Sequence, residues 1–208
     1  MATAQQTVTA GQGATRPPAT VGPPEPARRR QFNVEEYYKM AEVGILKRDE
    51  RVELIDGDIL VRCPIGSPHA VCVDGLTELL VVAFLNRAII RVQGPLRLND
   101  LSEPEPDLQV LKPGPKRYAS GHPGPADVFF LIEVMDSSAD SDRRDKLGRF
   151  SRAGVPEVWL VDLNRDLVEV YRRPTAEGYS EKRELPRGQG LAPEAFPEVV
   201  LGVDAILG

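Results

Sequence analysis

Histidine and cysteine are nearly missing from this chain, with two of each in 208 residues. Cys63 and Cys72 form neither a metal-binding spacing nor a disulfide framework, which excludes a cysteine-ligated zinc site and a stapled secreted scaffold. They read as core thiols in a reducing setting. Long apolar runs are also absent. Segments such as Leu79–Leu85 and Val128–Ile132 are far too short to span a bilayer, so no membrane association is expected. The first residues contain no apolar stretch like the core of a signal peptide, so a cytoplasmic location is expected. A net positive charge is lacking too: the formal charge is −5. Arg16, Arg28, Arg29 and Arg30 against the single Glu25 make the first thirty residues basic, so the remainder is more acidic still. A global cationic field for nucleic acid is therefore excluded. A polyanionic partner would need a local patch, the arginine-bearing arm or metal ions.

Residues 1–30 are rich in Ala, Thr, Pro, Gly and Gln and show no apolar period. Such a segment cannot bury enough surface to offset its ordering entropy, and is expected to be a disordered tail. Residues 31–208 then form a single domain. Asn33 with Glu36 resembles a capping box opening a helix that runs to about Val43. Asp56-Gly57 between two short β-rich runs, within Arg51–Arg62, predicts a hairpin. Pro64 to Pro68 reads as a loop. Val73, Leu76, Leu79, Leu80, Ala83 and Phe84 recur at helical spacing and predict a second helix over about His69–Asn86.

Strands are expected at Ala88–Val92, Pro95–Leu98 and Leu108–Leu111, and a loop over Lys112–Ala126, which holds four prolines and three glycines. Val128–Met135 is almost continuously apolar, the pattern of a central strand covered on both faces. Asp142–Ala153 reads as a helix closed by Gly154. Strands follow at Val158–Val161, Leu167–Tyr171 and Tyr179–Leu185, and the tail to Gly208 adds at most a short edge strand. Helices do not alternate regularly with strands, so the fold class is α/β (α+β), one mixed sheet flanked by helices rather than a doubly wound one.

Four side chains stand out chemically. Glu133 interrupts a buried apolar strand, where a carboxylate is costly unless paired or bound to metal. Asp107 follows Pro106 at the mouth of a short strand. Lys146 lies four residues after Asp142 on one helix face, where the plain reading is a surface ion pair. Glu53 alternates with Val52 and Leu54, which by itself points it to solvent. Taken singly each has an ordinary structural explanation. As a set, two carboxylates on neighbouring strands with a nearby lysine suit metal-assisted phosphodiester hydrolysis. A hard divalent cation takes oxygen ligands, and a lysine stabilises growing phosphoryl charge. With so few histidines, Mg²⁺ or Mn²⁺ is favoured over Zn²⁺.

The chain also resembles the PD-(D/E)XK nucleases, and within them the Uma-type (Uma two) restriction endonucleases of bacteria. The matching stretches are Arg51-Val-Glu-Leu-Ile-Asp-Gly57, Ser67-Pro-His69, Glu105-Pro-Asp107, Leu131-Ile-Glu-Val134 followed by Ser137-Ser138, Asp142-Arg-Arg-Asp-Lys146 with Phe150, and Gly154-Val-Pro-Glu-Val-Trp-Leu-Val-Asp162. They occur in the family's order. The resemblance implies a restriction-endonuclease-like sheet and a metal-dependent endonuclease site. Asp107 and Glu133 would be the metal ligands, joined by the backbone carbonyl of Val134. Glu53 would be an added carboxylate acting through water or a second metal, and Lys146 the catalytic lysine. The simplest superfamily motif puts the lysine two residues after the glutamate, where this chain has Met135; the lysine therefore has to reach in from the next helix. His69 is expected to contact phosphate or a site carboxylate, and Asp142 to orient Lys146 or cap its helix. The implied partner is nucleic acid, DNA before RNA, and a homodimer would suit double-strand cleavage by symmetry. The competing reading is an inert nuclease-fold module that binds nucleic acid or a protein.

Overall fold

The computed structural model describes residues 1–3, 29–47, 49–62, 64–136 and 141–208, and of residues 141–145 it describes the backbone alone. Most of the expected disordered tail, Cys63, and the side chain of Asp142 lie outside the described residues.

Helix α1 (Val34–Glu42) starts at the expected capping box: Asn33 accepts from the Glu36 amide, and Glu36 accepts from the Asn33 amide. Strands β1 (Val52–Ile55) and β2 (Asp58–Val61) form the hairpin. Both turn residues, Asp56 (φ 50°) and Gly57 (φ 82°), lie in the left-handed region that a two-residue hairpin loop of this hand demands. Helix α2 (Ser67–Ala83) starts two residues earlier than its apolar period suggests, with Pro68 in its first turn, where the missing N–H costs nothing.

The sheet has six strands in the order β3 (Ile89–Val92), β4 (Leu108–Leu111), β5 (Val128–Met135), β6 (Glu157–Asp162), β7 (Leu167–Pro174), β8 (Tyr179–Pro186). Only β5 and β6 pair in parallel, and helix α3 (Ser141–Arg152) makes the crossover between them. The other pairs are antiparallel. The expected strand at Pro95–Leu98 does not join the sheet. The chain leaves β3 through Gln93 (φ 46°), and Pro95 has no N–H for a ladder. Leu96 and Leu98 bond instead to Pro104 and Ser102, forming an arch. Glu103 of that arch bonds to Leu54, docking the hairpin.

Along β5, Phe130, Ile132 and Val134 face one core layer, shared with Leu76 and Leu80 of α2, Trp159, and helix α4 (Val203–Leu207). Leu131 and Met135 face the other layer, with Phe150 and Leu147 of α3. Glu133 shares the parity of Leu131 and Met135, so it points toward α3. That helix ends as expected at Gly154 (φ 82°), with Val155 bonding back to Phe150 and Gly154 to Ser151, the double bond of a Schellman closure. The tail does more than edge the sheet. Short strands β9 (Gly190–Leu191) and β10 (Leu201–Gly202) pair with each other, and α4 buries Val203, Ile206 and Leu207 against α2.

Cys72 sits on the buried face of α2. Burial, with a smaller contribution from the Asp107 charge, pushes its thiol up to about 11. A thiol raised this far is protonated at pH 8 and is a poor nucleophile. Iodoacetamide at pH 8 should therefore leave Cys72 unmodified in the folded protein and alkylate it in urea, as read by peptide mass mapping. Rapid native-state labelling would show that α2 opens.

Candidate active site

The carboxylate cluster forms where the hairpin, the arch, the ends of β4 and β5, and α3 meet. Lys146 leaves α3 on the sheet-facing side and places Nζ 2.8 Å from one oxygen of Glu53 and 3.0 Å from the other. Glu133 Oε1 lies 4.0 Å from the same ammonium. The long lysine stem thus spans from helix to strand to hairpin, as its position one turn or more beyond β5 requires. Lys146 is buried rather than on the surface that its helix spacing suggests, at 8% exposure, and Glu133 is 1% exposed.

Glu53 is also buried, at 6% exposure, where strand alternation alone points it to solvent. Strand β1 is covered on both faces, with Glu53, Leu54 and Ile55 all buried, and the Glu53 carboxylate finds two donors, the Lys146 ammonium and the Glu105 amide at 3.1 Å. Asp107, fully buried, accepts on Oδ2 from the Val134 amide at 3.0 Å and meets His69 Nε2 at 2.9 Å. The histidine is thus the carboxylate contact that the start of α2 was expected to make. In an extended strand the N–H and C=O of one residue leave on the same side. The Met135 carbonyl bonds to Leu163 on the β6 side, so the Val134 carbonyl is directed to the Asp107 side.

Arg62, just beyond β2, was not singled out in the sequence. Its guanidinium donates to Glu105 at 2.8 Å and lies 3.9 Å from Asp107 Oδ1. No local pattern marks it, because its partners come from the arch some forty positions away. The Asp142 side chain lies outside the described residues. Among the basic residues of the 112–126 loop, Lys112 is tied to the Ala126 carbonyl, while Lys116 and Arg117 are exposed.

Among the described residues, Glu53, Glu105, Asp107 and Glu133 face the fixed cations Arg62 and Lys146. Carboxylates from four positions thus gather in a water-poor site, and oxygen is the ligand type that a hard divalent cation takes. A second buried acidic set lies on β6 and β7. Glu169 is met by Arg165, Lys182 and Tyr171, and Glu157 by Arg172 and Trp159; there the cations balance the carboxylates, as structural pairs require. Among the described residues, no three His, Cys, Asp or Glu side chains are grouped so that they could hold a metal ion.

A family model described as "Uma2: Putative restriction endonuclease" matches residues 34–204. The chain belongs to the Uma2 family. A crystal structure from Anabaena variabilis, described as "a putative nuclease belonging to DUF820", superposes with a TM-score of 0.65 at 16% identity, covering 85% of this chain and 97% of that one. That likeness establishes the restriction-endonuclease-like fold. The type IIG restriction endonuclease BpuSI aligns at a TM-score of 0.38 and 11% identity, over 71% of this chain and 18% of its own. No curated protein matches the chain. Among the described residues no helix is long and apolar enough to cross a membrane. The Uma2 match spans every element that builds the cluster, from α1 to the start of α4.

Proposed function

We propose that this Uma2 member is an Mg²⁺- or Mn²⁺-dependent endonuclease that hydrolyses phosphodiester bonds in DNA. The observation that carries the proposal is the convergence of Glu53, Asp107, Glu133 and Lys146 from four separate segments into one buried cluster. Asp107 and Glu133, with the Val134 carbonyl, would hold the cation, and Glu53 would reach it through water. When bound, such a cation supplies Lewis acidity that polarises the phosphate and acidifies a water. His69 and the Val134 amide fix the Asp107 carboxylate in one orientation. Lys146 sits between Glu53 and Glu133, placed to orient the attacking water and to offset charge that grows on the phosphoryl oxygens. Arg62 is a second fixed cation on the same side for a phosphate oxygen. DNA as the substrate follows from the family's description, and a twofold dimer would place one such site on each strand.

The test is conversion of supercoiled plasmid to the nicked form by the full chain in Mg²⁺ or Mn²⁺ and in EDTA. Nicking is expected only with the divalent ion, and is expected to be lost in Asp107→Asn. Absence of nicking by the wild type in both metals would overturn the proposal. Nucleic-acid binding without cleavage would select the inert module instead.

A further inference from the structure

Beside the carboxylate cluster lies a second concavity, of about 320 Å³, at the small end of the range for small-molecule sites. Its walls come from α1, the segment after it with Lys47 and Glu50, the arch and the loop after β4. Tyr38 and His122 form one side, with ring planes 17° apart and centroids 6.1 Å apart, and Tyr37 meets Tyr38 edge-on at 5.6 Å. Glu103, Glu105 and Pro95 also line it. Glu105 belongs to both sites: its amide bonds to Glu53 and its carboxylate to Arg62, so a single residue separates this cavity from the candidate phosphate site. Tyr37 donates to the carbonyl of Val52, the residue before Glu53.

We propose that this cavity is a nucleobase subsite that takes the base next to the scissile phosphate, with a preference for bases carrying amino donors and guanine foremost. The inference deepens the nuclease reading and rests on it for the identity of the strand. Flat rings on one wall supply a stacking platform, which accepts the π-face of any base. Selectivity comes from the acidic side chains of the lining. Carboxylates only accept hydrogen bonds, and guanine presents an imino and an amino donor side by side. Thymine presents a single N–H flanked by two carbonyls, which carboxylates repel. Tyr38 donates its hydroxyl to Glu103, and burial together with that bond raises the tyrosine well above its ordinary range. Tyr38 therefore stays a neutral donor that holds Glu103 in place.

The experiment is a titration of the full chain in EDTA with 5′-GMP and with 5′-TMP, following the ring resonances of Tyr38 and His122 by NMR. Saturable shifts of both rings are expected with GMP, and at least about tenfold weaker binding with TMP. His122 is exposed, so His122→Ala leaves the core intact and should weaken GMP by about tenfold or more, the loss typical of one stacking partner. A GMP dissociation constant weaker than about 10 mM, equal binding of TMP, or an unchanged affinity in His122→Ala would each overturn the subsite. Because binding is read without metal, a chain that binds GMP but nicks no plasmid keeps the subsite and loses the nuclease reading. One that nicks plasmid without binding GMP does the reverse.

Discussion

Replacing Glu133 by Gln lowers metal-dependent nicking by about 10³-fold or more, and Lys146→Met lowers it by about 10²–10³-fold, the range seen when a fixed charge is removed from a developing transition state. The two variants part company in stability. Glu133→Gln keeps the shape of the strand and leaves Lys146 paired with Glu53 at 2.8 Å, so its unfolding midpoint stays near that of the wild type. Lys146→Met leaves Glu53 and Glu133 facing each other in a site where their side chains are 7% and 1% exposed. Breaking a buried pair in this way costs about 3–5 kcal/mol. Part of that loss should return in millimolar Mg²⁺, because a cation that binds only the folded state stabilises it by mass action. Urea unfolding with and without Mg²⁺ reads this effect independently of cleavage. Nicking that survives in Lys146→Met would move the charge-stabilising role to another residue, Arg62 being a candidate among the described residues. A variant whose stability ignores Mg²⁺ would argue against cation binding between these carboxylates.

Trp159→Ala should be the most damaging substitution in the core, at about 3–5 kcal/mol, a large share of the roughly 5–15 kcal/mol that holds a domain of ordinary size folded. Trp159 is fully buried on β6, one strand over from Glu133, and stacks on Phe130 with centroids 4.4 Å apart. Its indole N–H donates to Glu157, which is itself 1% exposed and also held by Arg172. The alanine variant therefore opens a cavity and removes a donor from a buried carboxylate. Since Trp159 is the sole tryptophan, unfolding is best followed by circular dichroism. A cost below about 1 kcal/mol would mean that Trp159 does not pack into the α2 core layer as described.

Much of the architecture was legible because it is enforced within a few residues. The Asn33–Glu36 box, the Asp56-Gly57 turn and the closure of α3 at Gly154 are each satisfied by bonds inside one turn, so residue type alone identifies them. The apolar run of β5 announced a strand covered twice, and two core layers cover it. The departures have equally specific causes. Pro95–Leu98 has the composition of a strand, but Gln93 turns the chain out of the sheet and the arch takes up its donors. Helix α4 is only five residues long, too short to show a period, and is held by packing on α2.

The candidate site divides along the same line. By themselves the residues determined which groups were worth watching: a carboxylate in an apolar strand, an aspartate at a strand mouth, a lysine displaced to the next helix, and a histidine at a helix start. The order of motifs tied them to one family. Only the tertiary structure decided what each does to its neighbours. Glu53 meets Lys146 across 93 positions and Glu105 across 52, and Asp107 meets His69 across 38 and Val134 across 27. Arg62 and the aromatic cavity beside Glu105 carry no local mark at all. The physical reason is range. Backbone propensity acts over one turn of helix or one pair of residues in a strand, whereas the fate of a buried charge is set by whichever opposite charge lies within about 4 Å, and that distance exists only once the sheet, the hairpin and α3 have packed together.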